Sequence, residues 1–398
     1  MSDVEHKGVA RLLILMLLAA VGGRAAQAGA PPRDFLQLLA ASDSTPEARR
    51  KAWEQLKAAG APGKPVLDAI DAARARAWKR FAAFVASPAV AKPGADLAQA
   101  VKTNRAAVQD VVAGKSFSKA ALDQAMAPIT DALNKATAAV RAENGFAQTL
   151  GLIDEMEVYA TEAGVRMSWS AALSDRLCTL AVVSHYLASP SGKQTLEDNK
   201  HAGDCIDSGE LACISMLSAY RMLIGLEPLG IDLRLVIAAR KHSEQMVEKD
   251  YFSHESPTAE LKSFGNRARR EYTSASGECI AIADGGPAAF NTWYCSQPHH
   301  QIMISKEPCV GVGGCGSRWT LMTGGSKGLF GPAAKMTQYV RDRYRAVKDP
   351  DRILRLARWC VKNHLVTQAE DELQRVLQID PGNAEAAKAL AALQAKKP

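Results

Sequence analysis

Between Ser253 and Trp319 the chain changes texture: alanine-rich stretches with helical periodicity give way to glycine, serine and short apolar runs. Such runs, framed by turn residues, read as strands and loops. Just ahead of them, helices are expected over about Leu211 to Leu223, ending near Gly225, and about Asp232 to Lys249. One more is expected inside the stretch, around Ala288 to Ser296. Helices and strands in separate blocks favour an α+β layered domain.

The rest of the chain is helical in pattern. With 398 residues there is room for two or three domains of about 100–200 residues each. Thr45 with Pro46 opens a helix that Gly60 ends, Pro65 begins a segment running to Ser87-Pro88, and Ser118 opens another that Pro128 should kink. Apolar residues at three-to-four spacing are what any packed helix needs, so this region reads as a scaffold or spacer. Ser189-Pro190-Ser191-Gly192 and the polar stretch through Gly209 read as a linker. After a second linker at Phe330-Gly331-Pro332, residues Leu356, Ala357, Cys360, Ala369, Leu373, Val376 and Pro381 resemble a single tetratricopeptide repeat, with Ile353 at the usual tryptophan. An independent solenoid takes about three repeats, so one repeat should pack against its own chain.

The first residues read as an export signal. Lys7 and Arg11 flank the apolar run Leu12 to Gly22, and Ala26-Gln27-Ala28 offers a small-residue cleavage site after Ala28. The run is shorter than the roughly 20 apolar residues a spanning helix needs, so no stable membrane span is expected after cleavage and the mature chain should be secreted or periplasmic. The net charge of +7 becomes +6 once the signal, with its three cations and two anions, is removed. The basic run Arg74, Arg76, Lys79, Arg80 beside Trp78 reads as a solvated helix face, and no nucleic-acid partner is expected. Eight cysteines in an exported chain suggest disulfides. Cys309 and Cys315 are poor partners if one strand joins them, because six extended residues span about 20 Å and a bridge needs Cα atoms within about 7 Å.

Two histidines and a glutamate stand in three segments separated by turn-rich sequence: Tyr251-Phe252-Ser253-His254, Gly277-Glu278-Cys279-Ile280-Ala281, and Trp293-Tyr294-Cys295-Ser296-Gln297-Pro298-His299-His300. Together with the upstream residues Ala219-Tyr220-Arg221 and Ala238 to Ser243, and the closing Gly311-Val312-Gly313 and Trp319-Thr320, this order resembles the CAP family of cysteine-rich secretory, antigen 5 and pathogenesis-related 1 proteins, closest to its short bacterial form. The resemblance implies an α-β-α sandwich over residues 205–328, flanked by a helical region (29–200) and a repeat-like tail (335–398), with 1–28 as the signal. It also implies a cleft of His254, Glu278, Ser296 and His299, with Ser296 where many eukaryotic members carry a second glutamate. Cys279 stands for the usual asparagine and Pro298 for the usual glycine. A bridge between Cys279 and Cys295 would tie the glutamate segment to the histidine segment, with free buried thiols as the alternative.

Neutral imidazoles at His254 and His299 could ligate a divalent cation such as zinc, but catalytic zinc takes three protein ligands and a water, and no cofactor is required. Hydrolysis would use Ser296 as nucleophile, His299 or His254 as base and Glu278 as orienter. A satisfied polar cluster joining the layers is the third use of the same residues, and His242 and His300 suit helix packing better than ligation. The expected function is a binding module for a lipid, glycan or protein at the cell surface. The alternatives are a metal-assisted or serine hydrolase and a structural envelope protein.

Overall fold

The computed structural model describes residues 33–41, 44–114, 117–325, 335–346 and 349–395. The expected export signal of residues 1–28 and the expected linker at Phe330-Gly331-Pro332 lie outside them. The chain divides into two compact units, one ending at Arg76 and one starting at Ala77. In the first, α1 (Arg33–Ala40) meets α2 (Pro46–Ala58) through the rings of Phe35 and Trp53, 5.3 Å apart. Thr45 caps α2 by accepting from the Ala48 amide at 3.2 Å, with Pro46 in the first turn. Next comes α3 (Lys64–Val85).

The second unit holds the helices α4 (Pro88–Ala113), α5 (Lys119–Arg141), α6 (Phe146–Glu162) and α7 (Ala171–Leu187). Ser118 caps α5 on the Ala121 amide, and α5 continues through Pro128. The expected linker after Ser189 is instead helical: α8 spans Pro190–Ala202 and a 3-10 turn follows at Gly203–Cys205. Ser189 accepts from the Gly192 amide at 3.0 Å and Pro190 takes the first turn, so the residues that look like a turn are a helix start. Asn199 on α8 then donates to the Leu229 carbonyl and accepts from the Ile231 amide.

The α+β core follows in order: α9 (Ser208–Leu223), β1 (Gly230–Ile231), α10 (Leu233–Glu248), α11 (Phe264–Arg270), β2 (Ala275–Ile282), α12 (Gly286–Tyr294), α13 (Gln297–Met303), β3 (Cys309–Cys315) and β4 (Arg318–Gly324). The sheet order is β1-β3-β4-β2, with β1 parallel to β3 and the other pairs antiparallel. Register puts Glu278, Met322 and Gly311 on one face and Cys279, Leu321 and Val312 on the other. The first face packs on Leu235, Ala238 and Ala239 of α10 and Ala268 of α11. The second joins a core with Cys213 of α9 and Ala289, Phe290 and Trp293 of α12. On β3 a Cβ at Gly311 would lie 2.3 Å from the α10 backbone, and one at Gly313 2.1 Å from it. The two missing side chains let the helix rest directly on the strand.

Helices α14 (Met336–Arg345), α15 (Pro350–Lys362), α16 (Val366–Ile379) and α17 (Ala384–Gln394) complete the chain. Ile353, Leu354, Ala357, Leu373, Val376 and Ala386 form a small core of their own. The tail also docks on the sandwich. Arg343 bonds Glu244 of α10 at 2.8 and 3.0 Å and Glu372 of α16 at 2.9 Å, Tyr339 donates to Glu372 at 2.8 Å, and Lys241 of α10 reaches Asp371 at 2.6 Å. It packs on its own chain, as the need for stacked neighbours implies.

Candidate functional site

β2 is one of the two edge strands of the sheet, and the segments carrying the two histidines meet around it. Glu278 projects from β2 with its side chain 1 % exposed, while His254, in the loop after α10, is 50 % exposed. His254 Nδ1 lies 2.9 Å from Glu278 Oε1. A carboxylate oxygen can only accept here, so Nδ1 carries a proton, and in the neutral ring Nε2 is the acceptor.

The other carboxylate oxygen of Glu278 is held by Arg267, on α11. Its Nη2 is 2.5 Å from Oε2 and 3.0 Å from the His254 carbonyl, while Nη1 donates to the carbonyls of Leu261 and Lys262 at 2.8 and 3.1 Å. The guanidinium is therefore the hub of the loop as well as the counter-charge of the glutamate. Nothing in the sequence reading singled it out. Ser263 is a legible cap for α11, accepting from the Asn266 amide, but among Arg267, Arg269 and Arg270 no local pattern says which turns inward.

His299 comes from α13, a second short helix where the sequence suggested a single one ending near Ser296. The His254 and His299 ring centroids are 6.4 Å apart. His299 Nδ1 is buried without a hydrogen-bond partner, and burial, with a smaller contribution from His254, lowers the pKa of the ring. Two contacts from the helical region brace α13: Gln297 and Gln301 donate to the carbonyls of Gly114 and Val112 at 3.1 and 2.5 Å. Those carbonyls end α4 and have no partner within the helix.

Ser296 begins α13, but its hydroxyl does not cap the helix, and among the described residues no hydrogen bond joins it to His254 or His299. His242 and His300 are packing residues. His300 is fully buried between the Tyr294 carbonyl at 2.9 Å and the Tyr220 hydroxyl at 2.7 Å. His242 lies between the Ser253 carbonyl and Tyr251, and burial drives its pKa down to about 4.

The expected bridge between Cys279 and Cys295 is not formed. Cys279 lies buried on β2 with its thiol 3.7 Å from the His299 carbonyl, whereas Cys295 is exposed at the end of α12. No disulfide joins any of the eight cysteines, and Cys309 and Cys315 mark opposite ends of β3. Burial holds the Cys279 thiol well above its ordinary pKa, which keeps it in the unreactive thiol form.

The donors suit a zinc ion poorly. Two rings on a tetrahedral zinc lie about 5 Å apart at Zn–N distances of about 2.0–2.1 Å, less than the separation here. Glu278 is committed to Arg267 and His254. Among the described residues no group of three or more His, Cys, Asp or Glu side chains is placed to hold a metal.

A family model described as the cysteine-rich secretory protein family, CAP, matches residues 214–320. The uncharacterized protein YkwD of Bacillus subtilis (strain 168) is 31% identical over 141 residues, covering 33% of this chain and 53% of the relative, so the chain spans about half the length of the curated relative it matches. A solved structure of an extracellular protein containing a SCP domain, from Bacillus anthracis str. Ames, is 27% identical with a TM-score of 0.28, covering 29% of this chain and 40% of that one. The matched stretch begins in α9, ends in β4 and contains His254, Arg267, Glu278, Ser296 and His299. The chain therefore carries a CAP domain of the cysteine-rich secretory protein family over residues 214–320.

Proposed function

We propose that the chain is an exported binding module whose CAP cleft takes a glycan, lipid or protein group through His254 and His299, without a metal ion. The supporting observation is the Arg267–Glu278–His254 chain. It fixes one half-exposed imidazole through its Nδ1, so that the neutral ring offers Nε2 as an acceptor, beside a second imidazole whose Nδ1 is buried and unbonded. A ring held this way accepts a hydrogen bond, so the ligand group is a donor such as a hydroxyl or an amine. Ser296 lacks the base contact that would activate it as a nucleophile. Export rests on the charged start, apolar run and small-residue cleavage signal of the first 28 residues, and among the described residues no helix is long and apolar enough to cross a membrane.

The test is a glycan array and a lipid-vesicle panel probed with the mature chain and with His254→Ala, each with and without chelator. Binding that falls at least tenfold in the variant and ignores the chelator is expected. Binding restored only by added zinc would overturn the metal-free reading. Labelling of Ser296 by a fluorophosphonate, lost in a folded His299→Ala variant, would make the cleft a hydrolase instead.

A further inference from the structure

We infer that Arg267 is the positioning residue of His254 and that the C-terminal tail holds Arg267 in place, so that α11 couples the tail to the cleft. The inference rests on the proposed role of His254, but its test reads the ring itself.

Helix α11 has seven residues, far below the roughly 12–15 at which a helix becomes marginally stable alone. Its position is therefore set by what grips it. Arg267 grips the cleft side through Glu278, the His254 carbonyl and the carbonyls of Leu261 and Lys262. One turn on, Arg270 Nη2 meets Asp371 Oδ1 of α16 at 2.5 Å, and the Arg270 carbonyl accepts from Gln368 Nε2 of α16 at 3.1 Å. Glu271, which ends the helix, accepts from Gln368 at 3.0 Å and from Lys241 at 2.8 Å, and Lys241 returns to Asp371.

Gln368 is fully buried and Glu271 is 1 % exposed, so the bond between them is sheltered from water, whereas Arg270, Asp371 and Lys241 are partly exposed. A groove of about 400 Å³ runs along the seam, lined from one side by Arg267, Arg270 and Glu271 and from the other by Asp371, Gln374 and Arg375. Ala268 packs α11 on α10 and the sheet, so across the groove the contact between α11 and α16 is made by these named polar groups. Directly after Glu271, Tyr272 is held at φ 59° with its carbonyl bonded to Arg234. A bulky residue in the left-handed region is costly, so a helix released from the tail has a strained joint ready to relax.

The measurement is the tautomer of His254, read from its ring nitrogens by two-bond proton–nitrogen NMR at alkaline pH, without ligand. Wild type should show a single Nδ1–H form. Arg267→Gln should give a mixture of both tautomers, because Glu278 loses the contact that fixes its orientation. Asp371→Asn combined with Gln368→Ala, on the far side of α11, should shift His254 in the same direction by a smaller amount. Asp371→Glu, which keeps the charge, should stay close to wild type.

The His300 signals, set by Tyr220 and Tyr294, should not move in any folded variant. If the double variant does not fold, Gln368→Ala alone takes its place. A wild-type tautomer in the folded tail variants would overturn the coupling, and a wild-type tautomer in Arg267→Gln would overturn the positioning role. Neither result depends on whether His254→Ala still binds the arrays, so the failure of this inference and of the binding reading are separable.

Discussion

The cleft and the seam under the tail are built from the same groups, buried carboxylates facing guanidinium or ammonium, and differ in where their hydrogen bonds end. At the seam the chain closes on itself: Glu244, Arg343, Glu372 and Tyr339 satisfy one another, as do Arg270, Asp371, Lys241 and Glu271. At the cleft it runs from Arg267 through Glu278 and stops at an imidazole half open to water. The same pairing thus serves cohesion where charged groups meet one another within the fold, and recognition where the last group of the chain is half open to water. Burial raises the Asp371 carboxyl, but Lys241 and Arg270 outweigh it and hold its pKa below the ordinary value, as expected of a closed network.

The sharpest way to break the comparison is Arg343→Ala, which leaves the fully buried Glu372 without its main counter-charge. Removing one member of a buried pair costs about 3–5 kcal/mol, readable by urea unfolding. Arg343→Met with Glu372→Leu should recover more than half of that loss. A single-variant loss below about 1 kcal/mol would place the seam among surface pairs.

The next effect is on pH. His242 is buried with its pKa at about 4, while an unfolded imidazole titrates near 6.5. Above pH 6.5 neither state binds the proton and stability is full. As pH falls toward 4 the unfolded state gains it first, and about 3 kcal/mol should be lost in that window. A His242→Asn chain with an unchanged slope between those values would show that another group sets it. Asp371, with its depressed pKa, adds a loss only below about pH 3.9, the unfolded value for aspartate.

Glu278→Gln should cost about 1.5–3 kcal/mol, the worth of a hydrogen bond to a charged group, since it withdraws the charge facing Arg267. Thermal unfolding checks it, and no loss would show that the Arg267 contact carries nothing. The smallest stability effect belongs to His254→Ala, under about 1 kcal/mol because the ring is half exposed, although array binding should collapse. A large stability loss with binding intact would reverse the assignment of the cleft and make it a structural cluster.

The convergence of His254, Glu278 and His299 was legible because each stands in its own turn-bounded segment and their order resembles a known family. Helices α9 and α10 were legible from periodicity, and the caps at Thr45 and Ser118 from residue type. Arg267 was hidden because its partners lie in other segments, and no local spacing separates it from Arg269 and Arg270. The seam was hidden for the same reason: Lys241 and Asp371 are 130 positions apart, and ion pairs leave no period in the sequence. Helix α8 was misread because Ser-Pro opens turns and helices alike. The expectation of a disulfide followed from compartment and count, whereas the partners' distance decides whether one forms.

The bare face of β3 has a consequence for how this gene can drift. At Gly311 and Gly313 even one methyl group would drive into the backbone of α10, while Val310 and Val312, alternating with them, point into a side-chain core that can trade volume among its members. A saturation-mutagenesis map of this strand would therefore look like a comb, with intolerant positions alternating with permissive ones at every second codon. The teeth would mark the helix above the sheet, so the layer spacing of the domain could be read from fitness alone.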